Sequence, residues 1–186
     1  MNNTRKLVYT ALLAALTAAG AFMRIPMGYS SVTLQYLFTA MAGLLLGRKW
    51  GALSQLIYVC LGLVGLPIFT MGGGFGYVFQ PTFGFLLGLI PAAWVVGAAA
   101  GESLDPRRMA LASLAGLAVL YAVGMPYMAL ILNVYMGKGM SLWALLMAGM
   151  IPFLPGDMVK IVVVGVLSPK LLPHVRPAAS RTSPEA

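Results

Sequence analysis

The sequence has very little charge. Of its 186 residues only 9% are charged, whereas 60% are apolar and the mean hydropathy is +0.90. A soluble domain carries roughly a quarter charged residues, so this composition excludes an ordinary soluble protein and predicts an integral membrane protein. Spans of about 20 residues allow six crossings joined by short connections, which leaves no separate soluble domain.

Cysteine and histidine are also scarce. Cys60 is the only cysteine, so no internal disulfide can form, and its apolar surroundings predict a buried small hydrophobe. His174 is the only histidine, and no His/Cys/carboxylate cluster has the spacing of metal ligands. We therefore expect neither a metal nor a cofactor. A Walker motif is absent, so the chain is not expected to hydrolyse ATP itself. An intramembrane enzyme is disfavoured, because no membrane His or Cys/His pair occurs and the sole Asp in a span lacks a second Asp.

Six hydrophobic segments can be drawn along the chain. They are 7–23, 32–46, 51–66, 82–100, 109–132 and a last one, 142–167, that prolines interrupt. The first run exceeds the apolar core of a usual signal peptide and five segments follow it, so we interpret it as a retained span. The predicted fold is an all-α membrane protein, a six-helix bundle formed by residues 1–170 as one domain. Residues 171–186 are predicted to be a disordered cytoplasmic tail.

The basic residues indicate how the chain is oriented in a membrane. The net charge is +8, but the basic residues come in pairs between apolar runs and form no stripe for nucleic acid. Nine of the twelve fall on one side of the predicted spans: Arg5, Lys6, Arg48, Lys49, Arg107, Arg108, Lys170, Arg176 and Arg181. By the positive-inside rule, both termini are cytoplasmic.

The stretch 151–160 carries the main candidate site. Asp157 and Lys160 are an acid and a base at i, i+3 spacing, and they share one face if a helix begins at Pro155. An ionisable residue at bilayer depth costs roughly 2.5–3.5 kcal/mol on insertion scales, so it normally faces protein or a wet cavity. Beside the break at Pro152 and Pro155, the pair predicts a ligand site. The alternative is a structural ion pair whose charges cancel.

The outer connections add polar, aromatic and glycine residues to this candidate site. Thr33 and Gln35 open the second span, where a buried amide needs another helix or a polar ligand as partner. The uncharged connection at 65–82 combines aromatics with glycines, which permit close backbone approach to a ligand. From these patterns we assign substrate contact to Thr33, Gln35, Phe69, Gly73, Gly74, Tyr77, Gln80 and Asn133, together with Asp157 and Lys160.

The first span contains interleaved Ala-x-x-x-Ala pairs, formed by Ala11 with Ala15 and by Ala14 with Ala18. Small residues at i, i+4 let two membrane helices approach closely. The pattern indicates either a contact with another subunit or simply the abundance of alanine in membrane helices.

Several short motifs, taken in their order, resemble one family. They are TLQ at 33–35, AGLLLG at 42–47, LSQ at 53–55, GLVGLPIF at 62–69, GGGFG at 72–76 and PFLPGDMVK at 152–160. Together they resemble the BioY family, the biotin-specific substrate-capture (S) subunits of energy-coupling factor (ECF) transporters. The resemblance covers nearly all of residues 7–170. One departure is QPTFG at 80–84, where the family usually has Gly-Pro-Thr-Gly-Gly.

The resemblance implies six helices and a vitamin site near the outer surface, closed by the first and third outer loops. It also implies that the motif at Ala11 and Ala15, with Ala14 and Ala18 alongside, contacts a membrane coupling subunit that binds two cytoplasmic ATPases. The chain would then lie in the cell membrane of a prokaryote, surrounded by lipid. It would capture biotin outside and release it inside as a transported ligand.

The chemistry of biotin fits the charged pair. Its cyclic urea offers two N–H donors and one carbonyl acceptor, so Asp157 can accept N–H while Lys160 donates to the carbonyl through charge-assisted bonds. The carboxylate tail would then point outward, toward backbone N–H groups, Arg24 or Lys138. The second hypothesis is a stand-alone, proton-coupled transporter of a small ureido or carboxylate solute with Asp157 as the titrating group. Inverted repeats would favour that hypothesis, and no convincing one is present.

Overall fold

The structure is a computed structural model that describes residues 2–27 and 29–176. Within these ranges the chain forms six α-helices, one β-hairpin, a 3-10 helix and a π-helical turn. In chain order they are α1 (Asn3–Phe22), β1 (Arg24–Met27), β2 (Ser30–Thr33), α2 (Gln35–Val64), the 3-10 helix (Phe75–Phe79), α3 (Phe83–Ala100), α4 (Pro106–Ala129), the π-helical turn (Leu130–Tyr135), α5 (Leu142–Gly149) and α6 (Leu154–Val175). The fold is therefore mostly helical, as predicted.

Helix α2 reverses direction at Gly47 and forms two antiparallel arms. Gly47 has φ 79° and ψ 176°, a backbone conformation that glycine adopts without a steric penalty. A straight helix would separate Thr39 from Gln55 by about 24 Å, yet the Thr39 hydroxyl donates to the Gln55 amide oxygen at 3.0 Å. The arms 35–46 and 48–64 correspond to the second and third predicted segments, and the basic connection between them is the turn.

Helix α3 lies between α2 and α4, α1 packs on α2, and α6 packs against both α2 and α4. Among the described residues, three helical stretches are long and apolar enough to cross a membrane: Phe83–Ala100, Pro106–Tyr135 and Leu154–Val175. Each arm of α2 is shorter than the ~20 residues that span a bilayer. Cys60 was predicted to be buried, but it is exposed on the second arm of α2. The prediction was wrong because apolar residues of a membrane helix face outward as well as inward.

The close contact between α3 and the turn of α2 depends on Gly97. A Cβ at this position would lie 2.6 Å from the carbonyl carbon of Gly47 and would also meet the backbone of Arg48. Because backbone atoms cannot move aside as a flexible side chain can, an added methyl group must separate the helices. Overpacking of this kind typically costs about 1–3 kcal/mol.

We expect Gly97→Ala to lower the midpoint of thermal unfolding by at least about 3 °C. The measurement is fluorescence-detected size-exclusion chromatography of the detergent-solubilised protein after heating. Gly76→Ala is the matched control, because a Cβ at Gly76 meets nothing within 4 Å. Equal midpoints for the two variants would contradict the close packing at Gly97.

The last predicted segment divides into α5 and α6. Pro152 lies in the turn between them, and Pro155 lies in the first turn of α6, which begins one residue earlier than predicted, at Leu154. Helix α6 continues through Val175, so residues 171–175 are helical and do not belong to a disordered tail as predicted. The rest of the predicted tail from 177 to 186 lies outside the described residues.

Arg176 explains why the last turn of α6 is ordered. Its Nε donates to the Leu45 carbonyl oxygen at 2.8 Å, next to the reversal of α2, and its guanidinium lies 3.9 Å from the carboxylate of Glu102. Burial lowers the pKa of the Arg176 guanidinium, while the nearby Glu102 carboxylate opposes that shift. One side chain thus joins the end of α6 to the turn of α2 and to the connection between α3 and α4.

Candidate functional site

A cavity lies at the hairpin end of the bundle, where β2 and the first turns of α2 and α6 meet α3 and α4. About 90 Å³ of free space lies within it, and this space continues through an open mouth. It is lined by Ser31, Val32, Thr33, Gln35, Tyr36, Thr70, Tyr77, Thr82, Phe85, Leu86, Leu89, Leu120, Tyr121, Gly149, Phe153, Asp157 and Lys160. Asp157 and Lys160 are the charged residues in this lining.

Asp157 and Lys160 form a buried ion pair in the first turns of α6. The Lys160 ammonium donates to Oδ1 of Asp157 at 2.6 Å, and the two residues are only 7% and 5% exposed. The spacing of three residues places both side chains on the same face of the helix, as the sequence predicts. A third residue joins them, because the Tyr121 hydroxyl of α4 donates to Oδ2 of Asp157 at 2.6 Å.

The charged pair keeps unused hydrogen-bonding capacity toward the cavity. A carboxylate has about four acceptor positions and an ammonium has three donors. In Asp157 each oxygen accepts one bond, from Tyr121 or Lys160, and Lys160 uses one donor on Asp157. Each carboxylate oxygen therefore retains an acceptor position, and Lys160 retains donors. The pair can offer two acceptors and a cationic donor to one polar group of a ligand.

Gln35 and Thr33 are joined to each other and to the second arm of α2. The Thr33 hydroxyl donates to Oε1 of Gln35 at 3.0 Å, and Nε2 of Gln35 donates to the Tyr58 hydroxyl at 2.9 Å. Tyr58 in turn donates to the carbonyl oxygen of Ile68 at 3.0 Å. The amide of Gln35 is thus held in a fixed orientation while one of its N–H groups is unused. Both Thr33 and Gln35 line the cavity, as assigned from the sequence.

Tyr77 presents its hydroxyl within a group of three cavity-lining hydroxyls. Its oxygen lies 2.8 Å from the Thr70 hydroxyl and 3.4 Å from that of Thr82. Phe69 lies behind it, with ring centroids 4.7 Å apart, and is 1% exposed. The assigned Phe69 is therefore outside the cavity lining and supports Tyr77 from the protein side.

Three more assigned residues of the same connection also lie outside the cavity lining. The Gly74 N–H donates to the Gly62 carbonyl oxygen at 2.7 Å, and a Cβ at Gly73 would meet the Leu66 carbonyl oxygen. These glycines permit close backbone approach to the end of α2. The backbone N–H of Gln80 donates to the Tyr77 carbonyl oxygen at 3.0 Å and ends the 3-10 helix.

Asn133 has a local role in the connection between α4 and α5. Its side-chain N–H donates to the Met140 carbonyl oxygen at 3.0 Å, and its amide oxygen accepts the Met140 N–H at 2.6 Å. These two bonds close the connection on itself, and Asn133 does not line the cavity.

Arg24 and Lys138, which were predicted to meet a carboxylate tail, contact neighbouring connections. Arg24 donates to the carbonyl oxygen of Thr70, and the Lys138 ammonium lies 5.5 Å from the centre of the Tyr29 ring. Both contacts tie the β-hairpin to other parts of the chain, and neither cation lines the cavity.

Tyr121, the residue that binds Asp157 from another helix, was not predicted from the sequence. It lies inside the long apolar segment 109–132, where no site residue was assigned. The signal that could have found it is the hydroxyl group, which needs a hydrogen-bond partner when a tyrosine is buried. Three other aromatic residues of the cavity lining were also missed: Tyr36, Phe85 and Phe153. An aromatic side chain in an apolar run can fill a core or line a cavity, and the sequence does not distinguish the two.

The alanines of α1 lie on two faces. Ala11 and Ala15 are exposed, Ala14 is buried and Ala18 is partly buried. Leu7, Val8 and Leu12 extend the exposed surface around Ala11 and Ala15. The exposed face thus offers small residues among larger apolar ones to another helix.

Comparison with known proteins places this chain among transporters. The sequence model of the BioY family matches residues 1–177. The chain belongs to the BioY family. It is 40% identical to "Probable biotin transporter BioY" of Lysinibacillus sphaericus, over 95% of this chain and 91% of that protein. It is 39% identical to "Biotin transporter BioY" of Rhodobacter capsulatus, over 94% of this chain and 96% of that protein.

A solved structure resembles this BioY family member over nearly its full length. The crystal structure of the S-component for biotin from an ECF-type ABC transporter aligns with a TM-score of 0.80 and 26% sequence identity. The alignment covers 92% of this chain and 94% of that chain. With the apolar helices, these likenesses identify a multi-pass membrane protein with the fold of an S-component.

Proposed function

We propose that the chain is the high-affinity biotin-binding S-component of an ECF-type uptake transporter. The observation that carries the proposal is the buried Asp157–Lys160 pair, which lines a cavity in a member of the BioY family. Buried ion pairs are expensive to desolvate, so unused bonding capacity aimed into a cavity favours a ligand role over a purely structural one.

The ureido ring of biotin complements this pair. Its two N–H groups can occupy the free acceptor positions on the two oxygens of Asp157, and its carbonyl oxygen can accept from Lys160. Phe85, Leu86 and Leu120 line the same cavity and provide apolar surface for the thioether ring. The amide of Gln35 has an unused N–H that can reach a second polar group of the ligand.

The carboxylate tail would extend to the mouth of the cavity. Ser31, Thr70 and Thr82 contribute hydroxyl groups to the cavity lining, and hydroxyls can donate hydrogen bonds to a carboxylate. We further propose that this mouth faces the outside of the cell. The end of the bundle that carries most of the lysine and arginine residues would face the cytoplasm, together with both termini. The distribution of lysine and arginine supports this orientation.

Transport requires an energy source from partner subunits. We propose that the exposed face of α1 around Ala11 and Ala15 contacts a membrane coupling subunit, which binds two cytoplasmic ATPases. Binding of that complex would reorient the S-component and release biotin inside. The likeness to an ECF S-component supports this assignment over a stand-alone proton-coupled carrier.

The test is isothermal titration of the purified, detergent-solubilised chain with biotin, together with mass spectrometry of the small molecule that co-purifies. We expect saturable one-to-one binding and recovery of biotin. Purified chain in liposomes, without ATPases, should not accumulate biotin under a proton gradient. Accumulation there would overturn the S-component role and favour the secondary transporter. Absence of biotin binding would overturn the proposal itself.

A further inference from the structure

The hydrogen bond between Tyr121 and Asp157 connects two helices that line the cavity. Tyr121 belongs to α4 and Asp157 to α6, and both residues are at least nine-tenths buried. Lys160, the other partner of Asp157, is on the same helix as Asp157. The Tyr121 hydroxyl is therefore the donor that fixes the carboxylate relative to a second helix of the cavity lining.

We propose that Tyr121 is a positioning residue that fixes the plane of the Asp157 carboxylate for the two ureido N–H groups of biotin. The terminal torsion of an aspartate is broad, so a single donor on one oxygen leaves the carboxylate plane free to turn. A second donor from another helix removes that freedom. This inference rests on the proposed biotin site and assigns a residue that orients its acceptor group.

Packing around Tyr121 holds its hydroxyl in place. Its ring meets Phe85 of α3 edge to face, with centroids 6.1 Å apart and an interplanar angle of 87°. Gly124, one turn further along α4, lets the same Phe85 ring approach the helix, because a Cβ at Gly124 would collide with it. Packing between α3 and α4 thus helps to set the position of the donor.

Two other tyrosines near the cavity donate their hydroxyl hydrogen bonds to backbone carbonyl oxygens. Tyr36 also lines the cavity, but its hydroxyl donates to the backbone carbonyl oxygen of Ser113. Tyr127, on the same helix as Tyr121, donates to the carbonyl oxygen of Val78 at 2.6 Å and does not line the cavity. Tyr127 therefore serves as a matched control, since it loses one hydroxyl hydrogen bond of similar length without affecting the ion pair.

The first measurement compares the affinities of Tyr121→Phe and Tyr127→Phe for two ligands. Loss of a bond to a charged acceptor should weaken biotin binding by about 10-fold to 100-fold in Tyr121→Phe, while Tyr127→Phe stays within about twofold. The second ligand is biotin methylated on one ureido nitrogen, measured by competition. Because this analogue cannot use both acceptor positions, Tyr121→Phe should weaken its binding by a clearly smaller factor.

The second measurement is spectroscopic. Biotin labelled with ¹⁵N in the ureido ring reports the strength of its N–H bonds through the proton chemical shifts of the bound ligand. We expect these shifts to move upfield in Tyr121→Phe and to stay unchanged in Tyr127→Phe. A packing defect alone would reduce the amount of bound ligand and leave the shifts of the bound form in place.

The outcomes separate this inference from the proposed function. If the native chain binds biotin and Tyr121→Phe binds it equally well, the positioning role is overturned while the biotin site stands. Equal losses for both ligands with unchanged shifts would also overturn it, because they indicate a purely structural role. If the native chain does not bind biotin, the proposed function itself fails.

Discussion

Asp157→Asn is expected to weaken biotin binding by roughly 30-fold to several thousand-fold. Truncating or neutralising one member of a buried, hydrogen-bonded charge pair costs about 2–5 kcal/mol. The Asn side chain keeps the shape of Asp, but its N–H₂ group replaces an acceptor with donors, so it cannot accept from both ureido N–H groups. Lys160→Ala should have a comparable effect, because the ureido carbonyl loses its cationic donor. Isothermal titration of each purified variant measures both effects.

A loss of binding must be separated from a loss of folding. Each single variant leaves one buried charge without its partner, and this is itself destabilising by about 3–5 kcal/mol. The double variant Asp157→Asn/Lys160→Gln removes both charges and retains polar groups of similar size. We expect it to insert, to elute as a single species on size exclusion and to fail to bind biotin. Nanomolar binding by a well-folded double variant would rule out the assigned roles of the ion pair.

Ala11→Leu combined with Ala15→Leu is expected to lower recovery of the coupling subunit and ATPases by at least about tenfold, with biotin binding unchanged. The two alanines are exposed on α1, and neither belongs to the cavity lining. Close approach of membrane helices requires small side chains at the contact, and overpacking costs about 1–3 kcal/mol. Co-purification of the transport complex from cells that express all subunits measures the loss.

Ala98→Leu combined with Ala99→Leu is the matched control for this prediction. Ala98 and Ala99 are exposed alanines on α3, so the double substitution adds the same bulk to a different helix. It should leave both biotin binding and assembly within about twofold of the native protein. Full recovery of the complex with the α1 double variant would exclude that face as the interface. Equal losses for α1 and α3 variants would show that added bulk disturbs assembly wherever it is placed.

The positions of the helices could be predicted because membrane spans are long and apolar and their connections are not. The basic pair Arg48–Lys49 marks the turn of α2, although the reversal itself depends on the positive φ of Gly47. The β-hairpin formed by β1 and β2 could not be predicted from the sequence, since strand pairing depends on tertiary support. The end of α6 was missed because the bonds of Arg176 reach residues more than seventy positions away in the sequence.

The chemistry of the cavity could be predicted in part, because some of its polar residue types are unusual inside membrane spans. Asp157 and Lys160 stand out because ionisable residues are rare in spans, and Gln35 stands out because a buried amide needs partners. By contrast, a glycine that approaches a ligand and one that approaches a neighbouring helix look the same in a sequence. Gly73 and Gly74 approach the end of α2. Tyr121 was missed because its partner lies on a helix 36 residues further along.

The contacts of Arg176 also bear on how the protein is made. Translation proceeds from the N-terminus, and the guanidinium that bonds to Leu45 belongs to a residue that follows the last helix. During synthesis, the turn of α2 and the connection after α3 therefore cannot form their contacts with Arg176 until all six helices have been made. The contacts among the turn of α2, the connection after α3 and Arg176 therefore form late in assembly, and truncation before residue 176 should abolish them.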